Sequence, residues 1–166
     1  MINRPILAWH FLKENGRLAY APHTLVRVGE WLTVPTPLSI CCTGLHASSR
    51  LIDALLYAPG PILCRVELCG ELIEQEDKLC AQQRRVIAMA DATTILHEMA
   101  CLSAESVLNH ITNKKHRAIA KTAIDTKRAW LAGKATSAQL SAAWSAAWSA
   151  QNEILTSMAK QLLKCE

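Results

Sequence analysis

The hydrophobic period of the chain changes near residue 90. Before that point short apolar runs are broken by turn formers, and all six prolines, Pro5, Pro22, Pro35, Pro37, Pro59 and Pro61, precede Gly70. Runs of this kind read as strands, and the pattern predicts them over Ile6–Leu12, Thr24–Val28, Leu38–Cys42, Ile62–Cys69 and Arg84–Met89. In Ile62–Cys69 the alternation is explicit. Cys64, Val66 and Leu68 face one way and Arg65, Glu67 and Cys69 the other, the two-residue period of a half-buried strand. Ser48 or Ser49 is placed to cap a short helix through Tyr57, with Leu51, Leu55 and Ala58 along one side, and Pro59-Gly60-Pro61 ends it.

From Asp91 onward there is no proline and the period becomes helical. Asp91 is placed to cap a helix reaching about Ile111, expected to bury Ile95, Met99 and Leu102 with help from Leu96 and Leu108. A second helix is expected from about Lys115 to Leu131, stopping before Gly133. A third begins at Ser137, with Leu140, Trp144, Ala147, Leu155, Met158 and Leu162 at helical spacing. Its repeat SAAWSAAWSA puts Trp144 and Trp148 on one face. Core or intermolecular packing is the expected use of such a pair, with an exposed partner-binding ridge as the alternative. The predicted fold class is α+β: a small strand-rich module with one helix over residues 1–90, packed against a three-helix region over residues 91–166, the two forming one compact unit.

Composition narrows this further. At 166 residues, 51% of them hydrophobic, the chain can build one core with a packed helical extension, and two large domains are excluded. The formal net charge of +4 is mild for a dedicated nucleic-acid binder. It is also uneven: residues 1–90 hold nine basic and eight acidic groups, whereas residues 91–166 hold nine and six. Lys114, Lys115, Arg117, Lys121 and Arg128, with His116 and Lys127 beside them, predict a basic side on the second long helix. That side can grip phosphates or simply be solvated, and no aromatic groups are interleaved for base stacking. Seven cysteines form no CxxC, and Met1–Leu12, with Arg4, Pro5 and His10, does not read as a secretory signal. The expected setting is a reducing cytoplasm, with the cysteines as small apolar core residues or free thiols. No run approaches the roughly 20 apolar residues of a membrane-spanning helix, so no membrane partner is expected.

Candidate chemistry is sparse. Cys42, His46, Cys64 and Cys69 are zinc-type ligands, but residues 64 and 69 fall on opposite sides of one strand. His97-Glu98 followed by Cys101 is a zincin-like helix motif with its second histidine replaced, and Glu105 extends the same face without supplying a clear third ligand. No metal site is therefore expected. Glycine patterns for a P-loop or dinucleotide fold and a GxSxG elbow are absent. Cys41 or Cys42 near His46 could form a thiolate pair, but no orienting third group is identifiable.

Read together, AWHFLKENGRL, LVRVGEWLTV, CCTGLHAS, DALLYAPGPILCRVELCGE and DKLCAQQRRV resemble a family of small phage and bacterial proteins of uncharacterised function, over about the first ninety residues. DATTILHEMACLSAESVL, KRAWLAGK and the Ala/Trp-rich tail resemble the helical region that accompanies such modules, which is similar in turn to proteins assigned to bacterial immunity. The resemblance implies a setting of mobile elements, host takeover or phage–host conflict. In addition, Trp9-His10, Gly44-Leu45-His46-Ala47-Ser48 and Ile62-Leu63-Cys64-Arg65-Val66 are similar to three segments of ADP-ribosyltransferases of the poly-ADP-ribose-polymerase type. That likeness implies NAD as cofactor, with His10 on the nicotinamide ribose and His46 in place of a stacking tyrosine. The catalytic glutamate of those enzymes has no counterpart, since Arg84–Met89 contains no acid, and a basic residue cannot stabilise an oxocarbenium-like transition state. RNA phosphotransferases of a related fold use His and Arg, which would make His10, His46, Arg65 and Arg85 an anion-binding cleft.

The expected function is a non-enzymatic interaction or inhibitor protein without cofactor, a phage counter-defence factor of anti-CRISPR type or a host-takeover factor acting by protein contact. Its expected partners are a host or phage protein, including a nucleoprotein complex, met by the basic side around Lys114–Arg128. Trp144 and Trp148 are expected to bind a partner or a second copy of the chain. The alternative is an ADP-ribosyltransferase-like or RNA-phosphotransferase-like enzyme using the His/Arg cleft.

Overall fold

The computed structural model describes residues 4–21 and 23–164; Met1–Asn3, Pro22, Cys165 and Glu166 lie outside the described residues. The fold is mixed α+β, with an antiparallel five-stranded sheet in the N-terminal half and helices in the C-terminal half. The chain divides into two compact units, Met1–Thr93 and Thr94–Glu166.

In the first unit the strands are β1 (Ile6–Leu12), β2 (Trp31–Thr33), β3 (Leu45–Ala47), β4 (Ile62–Glu74) and β5 (Leu79–Asp91), with the short helix α1 (Leu51–Leu56) between β3 and β4. The central pair is β4 and β5, thirteen residues each, joined antiparallel with irregularities at Arg65/Val66 and Cys69/Leu72. β1 takes the free edge of β4. β3 and β2 follow one another along the free edge of β5, opposite Leu79–Ala81 and Gln83–Arg85. Directly after β3, Ser48 and Trp9 exchange backbone hydrogen bonds of 2.8 and 2.9 Å. That bridge joins the end of β3 to β1 and closes β1, β4, β5 and β3 into a ring, removing edges that would otherwise be open to strand addition.

The interior follows from period two. Ala8, Leu12, Cys64, Val66, Leu68, Leu79, Ala81 and Val86 fill it, with Val26 and Ala47. Each of the large aliphatic side chains so buried contributes about 1.5–3 kcal/mol. The strand expected over Ile6–Leu12 is present, and those over Ile62–Cys69 and Arg84–Met89 lie within the longer β4 and β5. Thr24–Val28 and Leu38–Cys42 are not strands. Leu25 and Val28 make only isolated bridges, to Arg17 and Val86, and Ser39–Thr43 folds into a turn in which Thr43 N–H donates to Ser39 O at 2.7 Å. The free edge of β5 is already filled by β2 and β3, two short strands without a long alternating run. α1 starts after Arg50, whose side chain has no acceptor with which to cap it, rather than after Ser48 or Ser49, and its buried residue is Ala54.

In the second unit α2 (Thr93–Ser106) is followed by a 3-10 turn (Leu108–His110), α3 (Lys114–Leu131) and α4 (Ser137–Leu163). Asp91 accepts from Thr93 N–H at 2.7 Å at the start of α2, and hydrogen bonding from the Thr93 side chain, with that from its amide, holds the carboxyl below the usual carboxylate range. Asn113 caps α3 by accepting from the amides of Lys115 and His116, and Thr136 with Gln139 forms a capping box on α4. Contrary to the periodicity, Ile95, Met99 and Leu102 are exposed and Cys101 is the buried residue of α2. The inner side of α2 is selected by Arg128, which reaches Glu98 and Glu105, and by His97 set edge-on to Trp130.

α4 departs further from expectation. Its inward positions are Leu140 and the small Ala143, Ala147 and Ala150, which let α3 approach, while Trp144 and Trp148 stay 61% and 71% exposed. Leu155, Met158 and Leu162 are exposed too. His116, near the start of α3, meets Glu153 at 3.1 Å, so the two antiparallel helices run side by side only to that point. The ten residues Ile154–Leu163 continue roughly 15 Å beyond it.

Gly44, with φ +152°, precedes β3 where an added Cβ would stand 2.0 Å from the Sγ of buried Cys80. Gly29, with φ +87°, has nothing within 4 Å of such a Cβ. Gly44→Ala is therefore expected to cost about 2 kcal/mol or more, and Gly29→Ala about 1 kcal/mol, in denaturant unfolding. Equal midpoints for the two variants would contradict this account of the β3 entry.

Candidate functional site

Two adjacent arginines on one strand must face opposite ways. Arg84 and Arg85 on β5 do so. Arg85 lies on the outer face of the sheet, over the Trp31 ring at 4.8 Å and bonded to Glu67 at 3.0 Å. Arg65, opposite Trp9 in the register, stacks on that indole at 4.3 Å on the same face. These cross-strand stacks and the ion pair are packing devices of the outer surface.

Arg84 instead points into the ring and is only 2% exposed. Its Nη1 donates to the backbone oxygen of His46, and its Nε is buried without a partner. Burial pushes the guanidinium down to about 10, against a smaller opposing effect of Cys64, so it remains a cation at neutral pH. His10 alternates with fully buried Ala8 and Leu12 on β1 and also points inward, across from Cys64 on β4. Burial, then the charges of Arg84 and His46, hold His10 well below its ordinary value. Burial raises the Cys64 thiol to about 11 despite Arg84, so this thiol stays protonated.

His46 sits between Leu45 and Ala47, which are both buried inward, so its ring faces out from the ring of strands. Its Nε2 accepts from Cys41 N–H at 3.3 Å, which requires the lone pair there and the proton of the neutral ring on Nδ1. A backbone hydrogen bond with Gly44 favours protonation, but burial, Arg84 and Lys78 outweigh it and lower the pKa. His46 thus clamps the Ser39–Gly44 turn. Beside it, Lys78 Nζ stands 3.6 Å from the Sγ of exposed Cys41 and over the Tyr57 ring at 5.2 Å, while Tyr57 donates to Asp77. Of the four cleft residues expected from the sequence, His10 alone points into the ring; His46, Arg65 and Arg85 face out of it, although His46 lies near enough for its charge to act on His10. The arginine that points inward is Arg84. The signal was present in the Arg84-Arg85 pair, because period two sends one of two neighbouring side chains inward.

On α3 the basic residues are unequally free. Arg128 is bidentate to Glu105 and also bonded to Glu98, which raises its pKa, and Lys121 pairs with Asp125 at 2.7 Å. Arg117 donates through Nε to Ile111 O at 2.8 Å. Lys114 and Lys115 are exposed at the start of the helix, and Lys127 lies over the Trp130 ring at 4.2 Å. Among the described residues no three His, Cys, Asp or Glu side chains gather as metal ligands, and no helix is long and apolar enough to cross a membrane.

The fold and these side chains define an α+β protein whose antiparallel sheet encloses a guanidinium with no anionic partner among the described residues. A family model described as a domain of unknown function, DUF7666, matches residues 8–98, more than half of the chain, and the chain belongs to that family. The match spans the sheet, with His10, His46 and Arg84, and ends at Glu98 in α2. No curated protein and no solved structure matches the chain.

His10 and His46 both have lowered pKa values, so the sign of the acid response follows. Below the ordinary value of about 6.5 the unfolded chain takes up protons that the folded chain refuses. Stability is complete above that pH and is lost as pH falls from about 6.5 toward the lowered folded values. Denaturant midpoints should decline between about pH 7 and 5, with a smaller decline in His10→Gln. A flat wild-type profile over that interval would refute the neutral burial of His10.

Proposed function

We propose that the chain is a non-enzymatic protein-contact module that grips a partner through α4. The observation that carries this reading is the exposure of Trp144 and Trp148, at 61% and 71%, on a helix that already has its packing partner in α3. With Gln151, Leu155, Met158 and Leu162 they recur at alternating spacings of four and three, the seam of a helix that packs knobs into holes. Glu153 and Lys160 fall off this seam, leaving an uncharged contact line. The fitting occupant is an amphipathic helix of a host or phage protein with an aliphatic stripe, and the two indoles are the natural energetic centre of the contact. In the counter-defence or host-takeover setting suggested by sequence resemblance, occupying such a helix is sufficient for inhibition.

Affinity capture from host lysate, followed by cross-linking mass spectrometry, tests this. Wild type should give cross-links between α4 and one helix of the captured protein, and Trp144→Ala with Trp148→Ala should weaken capture by about 100-fold or more at unchanged helicity. Charge reversal at Lys114, Arg117 and Lys121 should have a smaller effect. Undiminished capture by the double variant, or light scattering that shows α4 occupied by a second copy, would overturn the reading.

A further inference from the structure

A buried charge is ordinarily paired, and an orphaned buried donor asks for a ligand. The interior of the sheet ring breaks both rules at one residue. Arg84 is 2% exposed, makes one hydrogen bond through Nη1, leaves Nε without a partner and forms no ion pair among the described residues. The side chains around it cannot balance its charge. Cys64 remains a thiol, His46 is engaged by the turn it clamps, and His10 is neutral at pH 7. The His10 ring has no hydrogen-bond partner among the described residues, and the residue is partly solvent-accessible. Its unused ring donor lies on the inner side of β1, the side of the sheet on which the guanidinium is buried.

We propose that Arg84 and His10 form an internal receptor for one small oxyanion, a free phosphate or carboxylate or the same group carried on a small molecule. The free Nε–H and the remaining amino hydrogens of the guanidinium present a planar fork matched to two oxygens of such a group. The neutral imidazole of His10 donates one further hydrogen bond from β1. Binding supplies the counter-charge missing from the interior, so the ligand stabilises the folded state by mass action. The receptor lies within residues 8–98, the part of the chain that the family model covers, and is independent of the α4 contact face.

The test is thermal unfolding of the full chain in sodium phosphate, sodium acetate and sodium chloride at equal ionic strength and pH 7. Phosphate or acetate should raise the melting temperature by about 5 °C at saturation relative to chloride, and the more effective of the two identifies the ligand class. Arg84→Met, which removes the charge at similar volume, should be at least as stable as wild type in chloride and indifferent to both oxyanions. His10→Gln should keep the response with about tenfold weaker affinity. If Arg84→Met does not fold, the wild-type titration still decides, with NMR shifts of the His10 ring as a second readout. No oxyanion response in wild type, or an equal response in Arg84→Met, would overturn the assignment.

Discussion

The long antiparallel pairing of β4 with β5 is the constraint on which the N-terminal unit depends. Each strand presents one further edge, and every other strand must find a place on those two edges: β1 beside β4, β3 and β2 in succession beside β5. Because β3 occupies only the first part of its edge, the chain leaving it can reach across to Trp9 and close the ring. Closure, in turn, creates an interior where period two dictates the contents. The same alternation that fills it with Val66, Leu68 and Val86 also carries Arg84 inside and leaves Arg85 to stack on Trp31.

A buried guanidinium without a carboxylate is an expensive item in so small a core. Beyond the backbone oxygen of His46, little near it offsets the charge: the nearby thiol and imidazoles are held neutral, and their shifts have burial as the first cause. Among the described residues, then, the N-terminal unit encloses one buried cation with no anionic partner. The outer face is the reverse case, where Arg65 and Arg85 are satisfied by aromatic rings and Glu67.

The helical unit carries a different kind of incompleteness. α3 and α4 pack through alanines on α4, an economical contact that leaves the bulky side chains of α4 on another face. α4, at 27 residues against 18 for α3, outruns its neighbour, and the overhang holds Leu155, Met158 and Leu162 without cover. Of the basic residues nearby, Arg128 clamps α2 to α3 and Lys121 pairs with Asp125, while Lys114 and Lys115 stay exposed at the start of α3.

Much of the fold was legible in residue order. The change of period near residue 90, the alternation over Ile62–Cys69, the proline-free second half and the stop at Gly133 are local properties, and local backbone preferences express them directly. β2 and β3 were not legible, since three-residue strands carry no periodic signal and exist because β5 offers an edge. Of the candidate site, His10 and His46 were found through their sequence neighbourhood, whereas Arg84 was passed over in favour of Arg65 and Arg85. By itself the sequence determined the α+β class, the order of the main elements and the presence of apolar residues at helical spacing along α4. Only the tertiary structure decided which of two adjacent arginines is buried and which stripe of α4 meets α3. Those choices depend on strand edges and helix lengths brought together from distant parts of the chain, and no local preference encodes them.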